Sequence, residues 1–242
     1  MLAPPTIDAS DVVPEIAARG FAALTPSGLA ALTGRPLGAL EALRPMWDDL
    51  PIDRHLRDGG RYRRRRHASY FVEGDSIVRA PHRAHWQPID YNALHGGIER
   101  WFDPIPAEVD GADAWRALLL AFGRVASSAS RPQRWFTEAH AFRIDTTDGI
   151  GRPTPEGAHR DGVDYVFIVL IDRRGIKGGE TRVFDADGPA GIRFTMVEPF
   201  TTLLLDDARK LHETTPLQPT EEDGHRDTLV VTMRAGGFLA PP

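Results

Sequence analysis

The chain has 242 residues and no cysteine. That excludes disulfides, thiolate metal sites, a cysteine nucleophile and a cysteine-ligated iron–sulfur cluster. Any transition metal must be held by His, Asp or Glu. A basic surplus is also missing: 29 Lys and Arg stand against 34 Asp and Glu, a formal charge of −5. Nucleic acids and anionic membranes attract proteins through a basic field, so neither is an expected partner. No apolar run approaches the ~20 residues of a membrane helix. The first eleven residues, Met1 to Asp11, lack the basic and apolar regions of a secretory signal. A soluble cytoplasmic protein is expected, with a small-molecule partner, and the sequence is compatible with a homodimer.

What is present is ordinary for a globular protein, with 41% apolar and 26% charged residues. The length suits one domain over residues 1–242, with a helical N-terminal extension over 1–60 and a β-rich core over 61–242. Pro14 falls where a first helical turn tolerates it, and Pro45 should perturb the helix suggested by Leu37, Leu40 and Leu43. Residues 61–79 read as a strand and hairpin turning at Gly74-Asp75. Trp115, Leu118, Leu119, Phe122 and Val125 lie at helical spacing, so a helix is predicted over 113–128, ending before Arg131-Pro132. Beyond Trp135 come short β-type runs separated by turn signals, among them Gly178-Gly179, read as a hairpin turn. Helices first and many strands after predict a mainly β sandwich or barrel with helices packed on one side.

The chemistry concentrates in Glu156-Gly157-Ala158-His159-Arg160-Asp161-Gly162. On an extended backbone, His159 and Asp161 point to the same side. His212 follows the apolar run Leu203-Leu204-Leu205 and is expected just past a strand end. Two imidazoles and one carboxylate on one face of an iron leave three coordination sites open, the facial triad of non-haem Fe(II) oxygenases. The bland alternative is a surface histidine and a turn aspartate. Further on, Arg226 and Thr228 share one face of a strand-like segment. If that face is internal, the guanidinium can grip a distal carboxylate in a dry pocket, the need that 2-oxoglutarate imposes. Otherwise Arg226 is an edge residue pairing with Asp227 or Glu222, with Arg234 as the fallback.

Candidates for substrate contact are less sharply marked. The run Arg61 to Arg66 reads as a strand with Arg64 and Arg66 on one face and Arg63 and Arg65 on the other, and Arg64 and Arg66 are taken as the carboxylate-binding pair. A solvated basic strand is an equal alternative. His140 and Arg143 lie three apart on the β-run before the ligands, on opposite faces, so one of them could face a pocket; His140 is preferred, with a satisfied core histidine as its alternative.

The segments His140-Ala141-Phe142-Arg143-Ile144, Pro155 to Gly162, Gly178-Gly179-Glu180-Thr181 and Leu205-Asp206-Asp207 with His212 together resemble a bacterial 2-oxoglutarate/Fe(II) dioxygenase family. It includes free L-amino-acid hydroxylases of the isoleucine 4-hydroxylase type and the enterobacterial biofilm stress and motility protein. The resemblance spans roughly residues 60 to 235. It implies a double-stranded β-helix (a cupin-like jelly roll), Fe(II) on His159, Asp161 and His212, 2-oxoglutarate on Arg226 and O2 as oxidant. The implied reaction is hydroxylation of a free amino acid or similar small polar molecule, with succinate and CO2 released. Two alternatives stay open on the sequence: a cupin-like metal-dependent isomerase or hydrolase, and a stress-related regulatory protein that keeps the pocket without turnover.

Overall fold

The structure, a computed structural model, describes every residue except Ala93, His95 and Gln133. The chain opens with β1 (Thr6–Ile7), α1 (Val12–Arg19), β2 (Phe21–Leu24), α2 (Pro26–Thr33) and α3 (Leu37–Glu41). Gly20, at φ 74°, ends α1 by donating its N–H to Ile16 O. Thr25 caps α2 by accepting from Gly28 N, with Pro26 in the first turn. Pro45 sits in a separate 3-10 turn, Arg44–Trp47, where the break was expected.

There follow β3 (Arg63–Glu73), β4 (Ser76–Arg79), the long helix α4 (Asp113–Ser130) and β5 (Arg134–Asp145). The rest is strand: β6 (Tyr165–Arg174), β7 (Ile176–Gly178), β8 (Thr181–Asp185), β9 (Gly191–Phe194), β10 (Thr202–Asp206), β11 (Lys210–Thr214), β12 (Leu217–Pro219) and β13 (His225–Arg234). The main sheet has the order β1-β2-β10-β6-β13-β5-β3-β4. A smaller sheet, β11-β8-β9, and a pair, β12-β7, complete the molecule.

The first sixty residues are therefore not purely helical. β2 pairs antiparallel with β10, and β1 pairs parallel with β2, so this segment extends the main sheet. Phe21–Leu24 is an apolar run of four, all buried, and a run that short carries no period to separate strand from helix.

The two faces of the main sheet follow the two-residue alternation. On β6, Phe167, Val169 and Ile171 face α4, while Val166, Ile168 and Leu170 enter the inner cluster with Val183 of β8 and Phe194 of β9. Phe122 of α4 stacks on Phe167 with centroids 4.4 Å apart. A helix on the outer face and a second sheet over the inner one make a mainly β jelly roll with supporting helices.

Two local expectations are corrected. Gly178-Gly179 is not a hairpin turn, because β7 pairs with β12 while β8 pairs with β11 and β9. It is a corner between sheets: both residues have positive φ, and a Cβ on Gly178 would meet Pro216 O at 2.2 Å. His212 does not trail the end of β10. It lies in the middle of β11, paired to Val183.

Candidate metal centre and co-substrate pocket

His159 and His212 face each other across an isolated antiparallel bridge between the segment before β6 and β11. Their backbones exchange hydrogen bonds of 3.1 and 2.9 Å, and their rings lie 4.6 Å apart. Asp161 joins them, with Oδ1 3.8 Å from His159 Nε2 and Oδ2 4.0 Å from His212 Nε2. All three donor atoms fall within 4.8 Å of one another, a spacing that a single ion can span.

The surroundings aim these donors. His159 Nδ1 lies 3.0 Å from Gly157 O, and a carbonyl only accepts, so Nδ1 carries the proton and Nε2 offers its lone pair. Asp161 is fixed from both ends. Its Oδ1 accepts from Gln87 Nε2 at 3.0 Å, and its backbone N–H, with those of Gly162 and Val163, donates to the Asp207 carboxylate at 2.8–3.1 Å. Burial, then the Asp161 charge, push Asp207 up to about 7 against those three donors. Burial opposes ionisation of Asp161 itself, but the two imidazoles hold its carboxyl below the usual range. Burial pushes His212 down to about 4, with His159 adding to it. A cluster of one carboxylate and two inward nitrogen donors fits a divalent transition metal.

The same cavity reaches Arg226 and Thr228 on β13. Its volume is about 120 Å³. Arg226 is 4% exposed, and among the described residues its Nε has no partner and no carboxylate lies within ion-pair distance. Burial pushes its guanidinium down to about 10. The pairing with Asp227 does not form, because Asp227 faces the other way and is held by Arg143. Arg234, at the far end of β13, donates to Gly237 O. A buried guanidinium facing a cavity without a counter-ion suits an anionic ligand.

The remaining candidates divide. His140 lines the cavity. Arg143 does not: it makes bonds of 2.8 and 2.7 Å to Asp227 on the opposite face of the sheet. Arg64 and Arg66 are also turned away. Arg64 donates to Asp145, and Arg66 to Asp49 and Pro104 O. Along β3 they share the face of Ala68, Tyr70 and Val72, which packs toward α4. The cavity receives Arg63 and Arg65 instead. Counting by twos from Tyr70 back to Arg64 would have found this, had the apolar face been known to be the helix-covered one.

Other cavity residues carried no sequence signal. Gln87 and Arg100 lie between β4 and α4, in a stretch without periodicity, tied together by a bridge between His85 and Arg100. Glu138, on β5, accepts from His85 Nδ1 at 3.0 Å, His67 Nε2 at 3.2 Å and Arg83 at 2.7 Å. With His140 these form a second His/Glu group whose donor atoms lie within 4.8 Å. Arg83 and Arg65 donate into it, so it is a hydrogen-bonded network in which a cation would meet two guanidiniums.

A family model for the 2OG-Fe dioxygenases matches residues 44–232. The chain belongs to that family. Its members use Fe(II), 2-oxoglutarate and O2, so this dioxygenase is an oxidoreductase, and the candidate ligand set is of the expected His-Asp-His type. A crystal structure of a bsmA homolog from Methylobium petroleophilum PM1 is similar over 99% of this chain and 98% of that one, with 51% identity and a TM-score of 0.94. IDO from Bacillus thuringiensis shares the fold at 17% identity and a TM-score of 0.76, over 98% and 99% of the two chains. The Fe(II)/α-ketoglutarate-dependent dioxygenase TqaL does so at 21% and 0.70, over 93% and 86%. No curated protein sequence matches the dioxygenase. Among the described residues, no helix is long and apolar enough to cross a membrane.

Proposed function

We propose that this dioxygenase hydroxylates an unactivated C–H bond of a free amino acid or a similar small polar molecule, with Fe(II) on His159, Asp161 and His212. The observation that carries the reading is the pairing, in one cavity, of this triad with the buried, uncompensated Arg226. When bound, the iron supplies O2 activation coupled to oxidative decarboxylation of 2-oxoglutarate to succinate and CO2.

The chain's own residues orient and insulate. Arg226 grips the distal carboxylate of the co-substrate, and Thr228, one step along the same face, adds a hydroxyl. Gly157 O keeps the His159 tautomer correct, while Gln87 and Asp207 hold Asp161 in place. The apolar lining of Val163, Ile168 and Val230 keeps the reacting region dry.

The test is anaerobic titration of the metal-free protein with Fe(II) and 2-oxoglutarate. A weak visible charge-transfer band is expected, lost in His159→Ala. A succinate-release screen over free and N-modified amino acids, with mass spectrometry for gain of one oxygen, then finds the substrate. Absence of the band, with unchanged metal binding in His159→Ala, would falsify the reading.

A further inference from the structure

Arg226 is not alone in lacking a counter-ion. Arg65 and Arg100 line the same cavity, are 4% and 2% exposed, and have no described carboxylate within ion-pair distance. Each has a buried Nε without a partner among the described residues. Arg65 is held rigidly, its guanidinium carbon 3.8 Å from the Phe102 centroid and 4.6 Å from that of Phe142. Burial and then the charge of Arg100 work against the charge of Arg65, so an anion between them would relieve a repulsion.

His140 adds a third donor. Arg65 Nη2 lies 2.8 Å from His140 Nδ1, and a guanidinium only donates, so Nδ1 accepts and the ring proton sits on Nε2. That Nε2–H is buried, without a partner among the described residues, on a residue of the cavity wall. Burial, followed by the charge of Arg65, keeps His140 neutral, so this tautomer persists.

The charges of the cavity point the same way. Arg63 is matched by Asp53, and Glu138 by Arg83. What remains is Arg65, Arg100 and Arg226 against Asp161 and Glu156, an excess of one positive charge. A divalent metal and a dianionic co-substrate leave that excess unchanged. Arg65 also starts two strands away from Arg226, roughly 10 Å across the sheet.

We propose that Arg65, Arg100 and His140 Nε2–H form a receptor for a carboxylate of the substrate, whose hydrocarbon part lies along Val163, Ile168 and Val230. The substrate class is thus a small carboxylic acid with an aliphatic portion. The assignment rests on the metal centre proposed above and adds the group that positions the substrate against it.

The probes are butyrate, isovalerate and L-leucine, each beside its own carboxamide. They are titrated anaerobically into the Fe(II)/2-oxoglutarate-loaded protein, following the charge-transfer band and the melting temperature. The acids should perturb the band and raise the melting point, and the amides should not. Arg65→Met and His140→Phe should each weaken the acids about tenfold or more while leaving the 2-oxoglutarate titration within about twofold. Equal responses to acids and amides, or none to any acid, overturn the receptor. So does a rise in the 2-oxoglutarate requirement in both variants, which would hand these donors to the co-substrate. If Arg65→Met does not fold, His140→Phe decides. If the wild type forms no band at all, the metal reading has failed, and the acid-against-amide melting comparison still reads the receptor by itself.

Discussion

Gln87 donates to Asp161 Oδ1 at 3.0 Å, and its direction is set by Arg100. Arg100 Nη2 donates to Gln87 Oε1 at 2.7 Å, which leaves the Gln87 amino group for Asp161. Side chains that hold a ligand's orientation affect metal affinity without touching the metal. Gln87→Leu should lower Fe(II) affinity about 10- to 100-fold. Anaerobic Fe(II) titration measures it, and an unchanged dissociation constant would mean that Asp161 is positioned by Asp207 alone.

The fold and the grouping of His159 with Asp161 were legible because their signals are local. Strand β6 writes its two faces in alternate apolar residues, and α4 carries an apolar stripe at helical spacing. His159 and Asp161 sit two apart, so one short motif names both. The arginines of β3 were legible as a strand but not in phase, because a two-residue period says which residues share a face and not which face is inside. Gln87, His85 and Arg100 were hidden for another reason. They come from an irregular segment held by isolated bridges, where position depends on tertiary contacts and not on any repeat. The Gly178-Gly179 corner was misjudged because glycine marks a backbone with positive φ, and hairpins and sheet corners both need one.

Arg226 separates binding from stability. It is buried, unpaired and costly to desolvate in the unliganded protein. Arg226→Met should leave the unliganded protein at least as stable as wild type. The same change should weaken 2-oxoglutarate about 100-fold, the effect of removing one side of a buried charged pair. Thermal melting without ligand and titration of the charge-transfer band read the two effects independently. A variant that melts much lower while binding normally would assign Arg226 to the scaffold.

Arg143 should behave in the opposite way. It closes a two-bond pair with Asp227, which is 2% exposed, and His225 Nε2 stands 3.8 Å from that carboxylate. Burial pushes Asp227 up, and Arg143 opposes that. Arg143→Leu strands the carboxylate, and a loss of about 3 kcal/mol is expected. The 2-oxoglutarate titration should stay unchanged, since the pair lies on the sheet face away from the cavity. Urea denaturation beside that titration checks both halves, and weakened co-substrate binding in a stable variant would contradict the placement.

The histidines behind the pocket make stability depend on pH. Burial pushes His85 down to about 4, with Arg100 and Arg65 acting in the same direction and Glu138 against it, and burial lowers His67 as well. A histidine whose pKa is depressed on folding contributes its stability fully above the unfolded value near 6.5 and loses it as pH falls toward the folded value. Acid therefore penalises the fold as these rings are forced to charge. Glu138, held well below the ordinary carboxylate range by the histidines despite its burial, extends the loss to lower pH in the same sense. From His85 alone, about 2 kcal/mol should be lost by about pH 5 relative to neutrality. Urea denaturation across that range measures the slope. His85→Gln keeps a neutral donor beside Glu138 and should flatten it; parallel curves for variant and wild type would place the acid sensitivity elsewhere in the molecule.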